Sequence, residues 1–123
     1  MSHPDDLLVA VAAMVEADRD SQMSLTVVVP GAVITGRLAP EALWRERVAE
    51  VLRDSARLTH FAVPFEEAGG GGSPSRPSHL HFHVARILQG SYGIPDTGGM
   101  YRVALAEVSA WTVGDIGYAD QLT

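Results

Sequence analysis

The chain contains no cysteine and no lysine; its nine basic residues are all arginines. Without cysteine there can be no disulfide, no thiolate nucleophile and no cysteine-ligated zinc, and an intracellular setting is favoured. Positive charge is short overall, with a net charge of −6 at pH 7. Such a balance opposes the phosphate backbone, so nucleic acid is not an expected partner. Long hydrophobic runs are missing too. The apolar stretch at residues 7–15 is short and follows Asp5 and Asp6 rather than a basic segment. Neither a signal peptide nor a membrane span is expected from it, and the protein reads as cytoplasmic.

What is present suits one soluble globular domain spanning residues 1–123, with 46% hydrophobic and 20% charged residues. Leu7, Leu8, Val11, Met14 and Val15 recur at helical spacing, predicting a helix over residues 4–18 with Ser2 as cap. Residues 25–38 are dense in β-branched side chains around Pro30-Gly31, which predicts a strand pair about a tight turn. Gly36, inside the second strand, suggests a bulge or a close backbone approach. A second helix is predicted over residues 40–58, with Trp44, Val48, Val51, Leu52, Ser55 and Leu58 on its apolar face. Residues 60–65 read as a short extended edge segment limited by Pro64. A glycine-, serine- and proline-rich linker follows at about residues 68–78. The remainder is β again: a strand from His79, a loop over residues 91–99, then one bent strand or two short ones up to a Gly114-Asp115 turn.

The run HLHFHVARI, residues 79–87, carries the chemistry most in need of explanation. In a strand His79, His81 and His83 share one face, opposite Leu80, Phe82 and Val84. Imidazole is a common metal ligand, and neighbours two apart on a strand lie roughly 6–7 Å apart between Cα atoms. A metal would need a further ligand from an adjacent strand, with Glu107 the nearest candidate in sequence. The simpler account makes the row the outward face of a central strand, with Leu80, Phe82 and Val84 buried. Glu107 is then a structural carboxylate paired with Arg37 or Arg102, and Trp44 and Trp111 are core or interface anchors. No nucleophile elbow or paired acidic motif appears, so neither catalysis nor a cofactor is expected.

Three segments, LTVVVPGAVITGRLAP, HLHFHVARI and GGMYRVALAEVSAWTVGD, together resemble the GvpU-type gas vesicle accessory proteins. Gly31 and Gly36 keep that family's glycine spacing, and Leu80, His81, Phe82 and Ala85 fall on its central strand. Arg102, Leu105, Glu107, Val108, Trp111, Val113 and Gly114 fall on its last segment. Val103, Ala104 and Ala110 depart from it, standing where the family has glycine, arginine and glycine. The resemblance covers about residues 25–114 and treats the linker as an insertion. It implies a non-enzymatic accessory role in gas vesicle assembly or organisation, in bacteria, acting by protein–protein interaction. Partners would be gas vesicle shell or accessory proteins, or further copies of the chain in a homo-oligomer, with no membrane or nucleic acid contact. The location would be cytoplasmic and gas-vesicle associated.

The expected fold class is α+β: a small, strongly bent, mostly antiparallel sheet, or an SH3-like or Sm-like barrel, with an N-terminal helix and one inserted helix. The alternative function is a small metal- or ligand-binding barrel using the His79, His81 and His83 face. An RNA-binding Sm-like module is disfavoured by the charge and by the missing ligand pattern.

Overall fold

The structure, a computed structural model, describes residues 3–18, 20, 23–66, 76–89 and 92–114. Helix α1 spans Asp6–Ala17, and the hairpin strands β1 and β2 span Ser24–Val29 and Ala32–Leu38. Helix α2 covers Glu41–Arg53, followed by a 3-10 turn at Thr59–Ala62 and the one-turn helix α3 at Val63–Glu66. Strands β3 (His79–Gln89) and β4 (Tyr92–Ala104), a second 3-10 turn at Leu105–Glu107 and strand β5 (Ala110–Val113) complete the order. All strand pairs are antiparallel, in the order β4-β3-β2-β1-β5. The fold is the expected α+β class with an N-terminal and an inserted helix. The sheet is open, with β4 and β5 at its two edges, and is not the closed barrel that was the alternative.

The β1–β2 turn forms as its sequence dictates. Gly31 has φ +85°, the value a type II turn requires after proline at its first central position. The irregularity expected at Gly36 is present, but the extra residue belongs to the neighbour. Thr35 pairs with Arg86 and Arg37 with His83, so a two-residue step on β2 faces a three-residue step on β3. The bulge reverses the parity of β3. Phe82 and Ile87 therefore both lie on the face of Leu38 and Ile34, although their numbers alternate.

That face is the core. Leu8, Ala12 and Val15 of α1 cluster on Leu25, Val27, Ile34, Leu38, Leu80, Phe82, Val103 and Leu105. Phe82 is among the largest fully buried side chains. The side chain of Val84, expected beside it, lies outside the described ones. Helix α1 begins where Asp5 caps it: its Oδ1 accepts from the Leu7 and Leu8 amides at 2.8 and 3.3 Å. Ser2, the cap expected from sequence, lies outside the described residues.

Several boundaries differ from the expectation. Helix α2 ends at Arg53 rather than near residue 58, and its buried side is Trp44 and Ala49, whereas Val51 and Leu58 are exposed. The segment from His60 is helical instead of extended, because Pro64 suits the first turn of a helix better than a strand ladder. The loop expected at residues 91–99 is mostly strand: β4 starts at Tyr92 and absorbs Pro95 and its glycines as an irregularity, Ile94 pairing Ile87 and Gly99 pairing Ala85. The bent final segment resolves into β4 and β5 around the 3-10 turn. Residues 68–75 of the linker expected at about 68–78, and the tail from Asp115, half of the expected turn, lie outside the described residues.

Candidate functional site

Strand β3 places His79, His81 and His83 on the face opposite the core, as alternation requires; His79 and His83 are half-buried there, and His81 is shut off from solvent. His81 is 2% exposed because Trp44 of α2 lies over it, with ring centroids 5.0 Å apart. The expected outward row is thus in its centre a buried layer between sheet and helix. The sequence shows the alternation; only the packing of α2 determines which side is wet.

Around His81 the polar groups form one connected cluster. Arg102, its direct partner across β3 and β4, donates from Nε to His81 Nε2 at 3.0 Å. The acceptor nitrogen must be unprotonated, so the neutral ring carries its proton on Nδ1, which is buried and has no hydrogen-bond partner. Glu41, in the first turn of α2, sits 3.8 Å from the same Nε2 and 4.0 Å from Arg102 Nη2. Its other oxygen accepts from Arg45 Nε at 2.8 Å. Burial pushes the His81 pKa down to about 4; Glu41 opposes this, and Arg102, His79 and Arg45 add to it. At neutral pH His81 is an uncharged acceptor.

Helix α2 lacks a side-chain cap of its own, since Pro40 precedes it. Glu16, near the end of α1, substitutes: its Oε2 accepts from the Glu41 amide at 2.8 Å. Burial raises the Glu16 pKa, partly countered by that bond. One carboxylate therefore joins the end of α1 to the start of α2, and the next, Glu41, joins α2 to β3 and β4. Sequence reasoning missed Glu16 and Glu41. The Glu41–Arg45 spacing was legible on a helix, but the contact with His81 joins residues forty apart in the chain.

The other expected site residues are dispersed. His79 Nδ1 lies 2.8 Å from Ser78 Oγ, and its pKa is lowered by burial and then by Arg102. His83 faces Arg37 across the sheet, and burial, then Arg47 and Arg37, lower its pKa. The His79 and His81 rings are 6.5 Å apart. Among the described residues no group of three or more His, Asp or Glu side chains is arranged to hold a metal ion. The Arg102 guanidinium occupies one of the two His81 ring nitrogens, Nε2. Glu107 is exposed in the 3-10 turn, not within a strand, and Arg102 reaches Glu41 instead. Trp111 of β5 is partly buried against the core and donates from Nε1 to Asp5 Oδ2 at 3.3 Å, tying the start of α1 to the sheet edge. That bond, followed by the Leu7 and Leu8 amides, lowers the Asp5 pKa. Gly31 serves the hairpin turn, and Gly36 lies on β2 opposite the step where β3 carries the extra residue.

An open groove of about 390 Å³ lies between α2 and α3, lined by Ala42, Glu46, Ala49, Arg53, Phe65 and Glu66, with an Arg53–Glu66 ion pair at 2.8 Å. No helix among the described residues is long and apolar enough to cross a membrane.

No curated protein and no solved structure matches the chain. A family model described as gas vesicle protein GvpU-like matches residues 5–116, reaching from the Asp5 cap of α1 past the end of β5. It thus takes in helices α1 to α3, strands β1 to β5 and the His81 cluster. The chain belongs to the GvpU-like family of gas vesicle proteins.

Proposed function

We propose that this protein is a non-enzymatic accessory factor in gas vesicle assembly or organisation, acting through contacts with gas vesicle shell or accessory proteins. The family match over residues 5–116 carries this reading. The geometry agrees with it. His81, at the centre of the histidine row, is buried, uncharged and held by Arg102 beneath Trp44, which suits a fold-joining part better than an acid–base catalyst. Contact surface is available in Val51, Leu58, Phe61 and Val63, all exposed along α2 and the turns after it.

The test is a pull-down of the purified chain against the vesicle shell and accessory proteins, each presented singly. Retention of at least one is expected. Binding to none of them, by a chain that is folded by circular dichroism, refutes the reading.

A further inference from the structure

Strand β5, four residues long, is a sheet edge that carries neither a charged nor a proline safeguard. Ala110, Trp111, Thr112 and Val113 include no proline and no charge, and Val113 is 62% exposed. The opposite edge differs, since β4 carries Pro95 and an irregular stretch between its partners of Ile87 and Ala85.

The hydrogen bonding shows which backbone groups β5 leaves free. Gly114 N donates to Ser24 O at 2.9 Å, and Thr26 faces Thr112 two residues further along. Alternation in an antiparallel ladder then turns the amide and carbonyl of Thr112 toward β1 and those of Trp111 and Val113 outward. Among the described residues no strand pairs with that outer side.

We propose that two copies of the chain associate through their β5 edges, antiparallel, with Thr112 on the two-fold axis, merging two five-stranded sheets into one. This rests on the edge itself and is independent of the gas vesicle reading. The register is self-selecting. Centred on Thr112, Trp111 of each copy faces Val113 of the other, and the two outward dyads exchange about four backbone hydrogen bonds. Centring on Trp111 would instead set Val113 against Ser109, outside the strand. The side chains match as well. Trp111 against Val113 is an aromatic–β-branched pair and Thr112 against its symmetry mate a threonine pair, both favourable across strands. Thr35, Thr26 and Thr112 already lie in register across β2, β1 and β5, with the Thr26 and Thr35 hydroxyls 2.8 Å apart. The two-fold extends that threonine row without a break through the second copy. Each copy carries −6, so added salt strengthens the pairing.

The test exploits the absence of cysteine. At the two-fold, Thr112 and its mate form a non-hydrogen-bonded pair with Cα atoms about 4.5 Å apart, within disulfide reach. Thr112→Cys under mild oxidation is expected to convert most of the chain to a covalent dimer, while Ser109→Cys, also exposed, does not. Light scattering across a concentration series is expected to show a monomer–dimer equilibrium. Thr112→Lys, which sets like charges face to face, weakens it at least about tenfold. Val113→Pro, which removes an outward amide, weakens it also. Circular dichroism confirms that each variant is folded. A monomer at every concentration, equal crosslinking of the two cysteine variants, or a dimer indifferent to Thr112→Lys overturns the proposal.

Discussion

His81 shows how far one side chain can be removed from its apparent chemistry by what covers it. Its neutral ring accepts from Arg102 and leaves Nδ1 unpartnered under Trp44. Burial lowers its pKa from 6.5 to about 4, so the unfolded chain takes up a proton in acid before the folded one does. The stabilisation is fully present above pH 6.5 and declines as pH falls toward 4, by about 3 kcal/mol in all. Urea unfolding at a series of pH values should show that decline, and His81→Phe should flatten it. Comparing the two proteins separates His81 from Glu16, whose raised pKa acts in the opposite direction. His81→Ala leaves a cavity beneath Trp44 and should cost about 2–4 kcal/mol at pH 7, read from the urea midpoint. Zinc in excess should leave the Tm unchanged, because Arg102 holds Nε2 of the central imidazole.

Elements here depend on caps and turns supplied at particular points. Helix α2 follows Pro40 and has no cap from its own sequence, so Glu16 of α1 provides one. Glu16→Ala should lower stability by about 1 kcal/mol with an unchanged m-value, and Glu16→Gln, which keeps an acceptor oxygen, by less. Gly31 holds φ +85° at the hairpin turn, with no atom in the way of a side chain. Gly31→Ala should therefore cost about 1 kcal/mol through backbone strain alone, measured in the same titration. The hairpin was legible from Pro30-Gly31 between β-branched runs. The 3-10 turn and α3 were not, because residues 60–65 have no helical stripe of their own and form helix only against α2.

For the whole molecule, one sheet is contacted on two faces. Helix α1 covers the apolar face across β1, β2 and β3, and Trp44 of α2 covers His81 on the other. The carboxylates of Glu16 and Glu41 tie these layers together at one corner. Opposite that corner, β5 pairs with β1, packs Trp111 against the core and reaches Asp5, and among the described residues no strand pairs with its outer side. With −6 net charge the molecule should not shift DNA or RNA in a mobility assay at about 0.15 M salt.

The sequence alone determined the α+β class, the period-two alternation of HLHFH, the hairpin turn, both main helices and the family. These follow from local spacing and backbone preference, which a chain carries before it folds. Tertiary structure decided the rest. Leu80 and Phe82 are buried as their alternation predicts, but tertiary structure buried the opposite face of β3 at His81 as well, where α2 closes over it, and a bulge changed the parity of that strand further along. Tertiary structure also decided that Arg102 pairs with Glu41 rather than Glu107, and that the sheet stays open with β5 at its edge. Each of those outcomes depends on residues far apart in sequence meeting across a packed interface, where burial and partner geometry outweigh local pattern.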